Sequence, residues 1–205
     1  MLSNLLWLLL LFAFAAAEAR LVQRYQRGDA GALDELYTRY RRPLLTFLAR
    51  LMGDRAEAED AFVETWAHVA RALPTYEEQG KFRSFLYTVA RREAYHLLQR
   101  RANRDSRAAL ARDSDEASID RAAPGEDPEA EASRRQVADR VEGALGALSE
   151  ELRACFLLYH AEGLTVPEVA EATGLSPATV KRRIGAARQV LAARLRDLDP
   201  AVVAG

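Results

Sequence analysis

Arg182 and Gln189 lie two helical turns apart in the stretch PATVKRRIGAARQVLAAR, and both side chains can hydrogen-bond base edges in a DNA major groove. Ala178, Gly185 and Ala186 share their side of the helical wheel and are small enough to let a helix sink toward the base pairs. Lys181, Arg183 and Arg188 flank that face and suit phosphates. Ser176 and Thr179, at the start of the helix, complete this first set of candidate DNA-contacting residues. Val180, Ile184, Ala187, Leu191 and Leu195 fall on one narrow arc of a 3.6-residue period, so the reading face has a buried seam behind it.

A second constellation lies in KFRSFLYTVARREAYHLLQRR, residues 81–101. Phe82, Phe85, Leu86, Val89 and Leu97 share one face and read as core. Tyr87, Arg91, Tyr95 and Leu98 form a stripe on another side, edged by Arg83 and Arg101, with Lys81 at its start. Exposed rings among guanidinium groups suit unpaired nucleic acid, because the rings stack on bases while the cations hold phosphates. Helical spacing alone fits core packing equally well. A third stripe runs along EAEDAFVETWAHVARAL, residues 57–73. There Glu57, Asp60 and Glu64 project nearly opposite Phe62, Trp66, Val69 and Leu73, and could meet a basic partner or simply water.

The elements that must position these residues are all helices. Ala, Leu, Arg and Glu dominate the 205 residues, and no window alternates with the period of a strand. Gly28-Asp29 should break a short first helix, and Pro43 should kink the second. Asp54 and Glu57 resemble a capping box for a helix over 55–73, which Pro74 ends. A long helix over roughly 82–102 follows. Residues 103–133, with Pro124, Gly125 and Pro128, read as a flexible acidic linker. Beyond it Ser149 should cap a helix over 150–161, with Gly163 at its C-terminal end. Thr165 and Glu168 form a capping box, Gly174 supplies a turn, and Ser176-Pro177 opens the last helix. The expected architecture is all-α: an apolar extension (1–19), a helical domain (20–102), the linker (103–133) and a helix-turn-helix domain (134–205).

Charge follows the same division. The net charge of −1 conceals about +6 over 81–107, −7 over 113–131 and +6 over 176–196. Two basic blocks around an acidic one suggest two polyanion-binding surfaces. Cys155 is the only cysteine, so no internal disulfide can form, and His68, His96 and His160 lack metal-ligand spacing. No nucleotide-binding glycine loop and no nucleophile–base pair is evident, so no enzyme, cofactor or small-molecule substrate is expected. Residues 5–17, LLWLLLLFAFAAA, are short for a membrane span and lack the basic residues that precede a signal-peptide core. A mis-assigned start or a helix packed on the first domain is the favoured reading over a membrane-surface anchor. Deleting residues 1–17 is therefore expected to leave function intact.

The order AEDAFVETW, FRSFLYTVARREAYHLLQRR and LSEELRACFLLYHAEGLTVPEVAEATGLSPATVKRRIGAAR resembles RNA polymerase sigma factors of the extracytoplasmic-function (ECF) type over about residues 20–196. The resemblance implies a cytoplasmic transcription initiation factor with core RNA polymerase, promoter DNA and an anti-sigma factor as partners. It implies that 57–73, through Glu57, Asp60 and Glu64, meets the clamp helices of the polymerase. It implies that 76–101, through Lys81, Arg83, Tyr87, Arg91, Tyr95 and Arg101, recognises and melts the −10 element. A base would flip into a pocket near the 76–81 loop. It implies that 176–188 reads the −35 element, and that the linker threads the polymerase cleft as an RNA mimic. The chain departs from the family pattern at Arg92 and His96, where Asn and Asp are usual. It departs again near the middle of the recognition helix, where a basic residue or His is usual and Gly185 or Ala186 stands here, so the resemblance does not extend to the promoter sequence. Two rival readings are a free-standing helix-turn-helix regulator and a membrane-tethered interaction protein. The first leaves 57–101 unused, and the second leaves both basic helices unused.

Overall fold

The computed structural model describes residues 16–77, 79–108 and 128–196, with no side chain described between 104 and 134. Every regular element among them is helical: α1 (16–26), α2 (Gly31–Met52), α3 (Arg55–Ala72), a 3₁₀ turn (Leu73–Thr75), α4 (Phe82–Ala108), α5 (Pro128–Gly146), α6 (Glu150–His160), α7 (Val166–Thr173) and α8 (Pro177–Arg194). In the first half α2, α3 and α4 pack on one another around Leu36, Leu44, Phe47, Leu51, Val69, Phe82 and Leu86. In the second half α6, α7 and α8 close around Leu157, Leu158, Val169, Val180 and Ala187.

Local chemistry sets most helix ends. The Asp54 carboxylate accepts the Glu57 backbone N–H at 3.1 Å and starts α3. Thr165 and Glu168 form a full capping box at α7, the Glu168 carboxylate accepting the Thr165 N–H at 2.7 Å. Gly174 ends α7 at φ +70°, a left-handed conformation that a side chain would strain. The expectation at Ser149 is corrected: it occupies the N-cap of α6, but its hydroxyl makes no capping bond. Helix α2 runs unbroken through Pro43.

Two boundaries differ from the sequence reading. The expected linker, 103–133, gives its first residues to α4, which extends to Ala108, and its last to α5, which begins at Pro128. Pro128 at the first position suits a helix start, since its missing N–H is one that the first turn leaves unpaired. Residues 109–127, the rest of that segment, lie outside the described residues. The apolar extension also ends earlier than residue 19. Helix α1 buries Glu18, Leu21 and Val22, and the Tyr40 hydroxyl donates to the Glu18 carboxylate inside the core. The apolar run up to residue 15 lies outside the described residues. Among the described residues no helix is long and apolar enough to cross a membrane.

Helix α1 gives a graded truncation test. Removal of residues 1–17 should leave the melting temperature unchanged. Removal of 1–19 strands the buried Tyr40 hydroxyl and should cost about 1–3 kcal/mol. Removal of 1–26 also strips Leu21 and Val22 from the core and should cost a further ~3 kcal/mol or more. Thermal melting of the three truncations checks the order. Equal stability of all three would place α1 outside the cooperative fold.

Candidate nucleic-acid interface

Helix α8 presents the first constellation as the sequence suggests. Val180, Ile184, Ala187 and Leu191 are buried against the rest of the second half, and Lys181, Arg182, Arg188 and Gln189 are exposed. The Ser176 hydroxyl accepts the Thr179 N–H at 3.2 Å and so caps the helix, and it lies 2.9 Å from the Thr179 hydroxyl. A Cβ added at Gly185 would meet open space, so nothing in the described chain covers the α8 face at that point. Arg188 donates through Nε to the His160 ring nitrogen at 3.0 Å, which draws it to one edge of the face. Burial, and then the nearby Arg188 charge, pushes His160 below the usual histidine range, which leaves its ring nitrogen free to accept. Arg183 departs from its expected place. It is half-buried and ion-paired with Glu151 at the start of α6, so it ties α8 to α6 instead of facing a phosphate.

The acidic stripe of α3 is only partly free. Asp60 and Glu64 are exposed, and Val63 between them is 63% exposed, far more than any other large apolar side chain described. Glu57 instead accepts from Arg101 at 3.2 Å, with Asp54 3.9 Å from the same guanidinium. Two residues from separate expected sites thus pair with each other, α3 to α4. Behind the stripe, Tyr37 packs on Phe62 and Trp66 with ring centroids 5.6 and 5.3 Å apart.

The α4 stripe needs the largest correction. Tyr87 is not an exposed ring: it is 1% exposed, stands edge-on to Phe47, and donates its hydroxyl to Glu162. Burial, with the Glu162 carboxylate beside it, pushes the phenol far up, so it remains a donor. Arg91 donates to the Ala172 carbonyl at 2.9 Å and the Thr173 carbonyl at 3.3 Å, the last carbonyls of α7, and lies over the Tyr95 ring. Tyr95 is half-buried and donates to the Glu150 carbonyl at 3.3 Å. Lys81 pairs with Glu171 at 3.3 Å. Arg83 is half-buried beside Gly163. The second half of the chain therefore holds Lys81, Tyr87, Arg91 and Tyr95, whereas Arg101 turns to α3.

Sequence reasoning missed Glu162, Glu171 and Arg153. The first two lie 75 and 90 residues from their partners Tyr87 and Lys81 and belong to no local pattern. Arg153 sits inside an apolar helix, which by itself marks a cation needing buried acceptors. It donates to the carbonyls of Leu51 (2.9 Å), Gly146 (2.8 Å) and Leu148 (2.9 Å).

Known proteins share the sequence pattern and the helical fold of this chain. Residues 36–104 match the family described as Sigma-70 region 2, and residues 138–191 match Sigma-70, region 4. The chain is 30% identical over 183 residues to the RNA polymerase sigma-H factor of Pseudomonas aeruginosa, covering 88% of this chain and 95% of that protein. It is 32% identical over 170 residues to the ECF RNA polymerase sigma factor SigE of Mycolicibacterium smegmatis, covering 80% of this chain and 63% of that protein. Among solved structures, the sigma factor RpoE from Bartonella quintana, crystallised with the anti-sigma factor NepR, superposes with a TM-score of 0.66 at 21% identity. That match covers 81% of this chain and 98% of the other, and it supports the helical fold. The chain belongs to the RNA polymerase sigma factors of the ECF type.

Proposed function

We propose that the chain directs core RNA polymerase to specific promoters, in the cytoplasm, and that it acts by binding and not by catalysis. The observation that carries this is the presence on one chain, in order, of the region 2 helices with their exposed Asp60–Val63–Glu64 ridge and the region 4 helix-turn-helix with its exposed Arg182–Gln189 face. A free-standing regulator would need only the second. On this reading the α3 ridge meets a basic surface of the polymerase, α8 reads the −35 element, and the Lys81–Arg91–Tyr95 surface of α4 serves the unpaired −10 strand. Promoter DNA and core polymerase are the obligatory partners, and an anti-sigma factor is the expected antagonist.

The α8 assignment is tested by separating specificity from affinity. Arg182→Ala should relax preference at one position of the −35 element, at about 1–3 kcal/mol against the preferred sequence. Lys181→Ala should weaken all sequences alike and reduce the salt dependence by about one counterion. A bulky residue at Gly185 should lower affinity without altering the melting temperature. The readout is selection from a randomised −35 library by polymerase carrying each full-length variant, at two salt concentrations. Unchanged base preference in Arg182→Ala, with a shift in Lys181→Ala, would mean that the helix is rotated in the groove.

A further inference from the structure

Arg188, at the edge of the α8 face, has a partner that neither helix period nor charge pattern explains. Its Nε donates to Nε2 of His160 at 3.0 Å, reaching across 28 residues of sequence to the last residue of α6. A ring nitrogen that accepts carries no proton, so the imidazole is neutral with its proton on Nδ1. Both side chains are exposed, and the ring stands against Phe156 and Tyr159 with centroids 4.7 and 4.9 Å away. The bond uses only Nε of the guanidinium, so the fork formed by Nη1 and Nη2 can still meet a phosphate.

Arg188 is the charged group that faces the ring. The carboxylates on the elements packed around α6 are turned elsewhere. Glu162 accepts from Tyr87 of α4, Glu168 of α7 is bound to Thr165, and Glu151 at the other end of α6 pairs with Arg183. Arg50 of α2 pairs with Glu142 of α5, and α8 carries no acid. Burial and then the Arg188 charge disfavour the imidazolium, whereas the negative end of the α6 dipole favours it. In the empty chain the first two prevail. A phosphate on Arg188 offsets the repelling charge and offers an oxygen to a second donor, which tips the balance toward the protonated ring.

We propose that His160 and Arg188 form a paired site for one phosphate of the DNA backbone at the edge of the α8 face, and that His160 takes a proton from solvent as the phosphate docks. This rests on the reading of α8 as the face that meets duplex DNA. The complex favours the protonated ring, so affinity rises as pH falls. Protonated His160 neutralises one more phosphate, which steepens the salt dependence by up to about one counterion.

The test is binding of the full-length chain to a short random-sequence DNA duplex at low salt. Affinity should rise about fivefold between about pH 8 and about pH 6, with the steeper salt dependence at the lower pH. His160→Gln should lose both changes, and His160→Lys should show the stronger, steeper binding at either pH. His68→Gln, whose ring pairs with Glu93 on α4, should keep the gain. In NMR spectra the imidazole signal that is missing from His160→Gln should titrate at higher pH with the duplex than without it. An unmoved His160 titration, or an equal gain in His160→Gln, would overturn the proposal. Lys181→Ala and Arg188→Ala keep the two layers of inference apart. Lower affinity in both, with no effect of His160, sinks the paired site alone. Undiminished affinity in both removes α8 from duplex binding, and the paired site with it.

Discussion

Reversing the charge at Asp60 and Glu64 together should weaken binding to core RNA polymerase by about 3 kcal/mol, roughly a hundredfold, while the protein stays folded. Both carboxylates are exposed on the outer side of α3, so their loss opens no cavity in the core. The rings beneath them, Tyr37, Phe62 and Trp66, keep their mutual packing. Opposed like charges across an interface cost far more than a surface ion pair contributes, which is why reversal is preferred to neutralisation. Val63→Asp should add to the effect, since an exposed valine between two carboxylates suits an apolar contact at the centre of such a patch. The check is competition for core polymerase at moderate salt, with unaltered binding of the variant to −35 duplex DNA as the control. Undiminished binding to core would remove α3 from the polymerase interface.

Arg153→Ala should be the most destabilising single change in the second half. The guanidinium is buried and donates to three carbonyls: Gly146 at the end of α5, Leu148 in the turn that follows, and Leu51 near the end of α2. Helix-terminal carbonyls have no partner within their own helix, so Arg153 satisfies acceptors that the helix geometry leaves open. Truncation strands these acceptors and should cost about 3 kcal/mol, which for a chain of this size lowers the melting temperature by roughly 6–12 °C. Arg153→Lys should recover little, because a point ammonium cannot span the three acceptors of a planar fork. Calorimetry of the three proteins reads this directly. A loss below about 1 kcal/mol would show that water replaces the side chain at no great cost.

The contrast between these two sites marks what was legible before folding. The α8 face was legible because helical period and caps are local: Ser176 with Thr179, Thr165 with Glu168, and the Val180–Ile184–Ala187–Leu191 seam all lie within a few turns. The α3 ridge was legible for the same reason, although Arg101 removed Glu57 from it. The α4 stripe was legible as a stripe but not as a buried one. Its period is the same whether water, DNA or another helix faces it, and Glu162 carries no local mark as a partner for Tyr87. The polar stretch after residue 102 has the signature of a linker because it lacks apolar periodicity. Helix α4 nevertheless extends to Ala108, through a stretch in which Ala and Arg have high helix propensity. Arg153 stands in an apolar run beside Cys155, a small buried thiol, and no local pattern there shows which carbonyls it reaches.

Transcription in vitro tests most directly whether this chain gives polymerase its promoter, and it requires no promoter sequence to be chosen in advance. Fragmented genomic DNA from the source organism is transcribed by purified bacterial core polymerase with and without the chain, and RNA 5′ ends are mapped. The account predicts new 5′ ends that require the chain, share paired upstream elements, and disappear with the Asp60 and Glu64 reversal. Binding of the chain to genomic sites through α8, with no new 5′ end in the presence of core polymerase, would contradict it and leave a free-standing regulator.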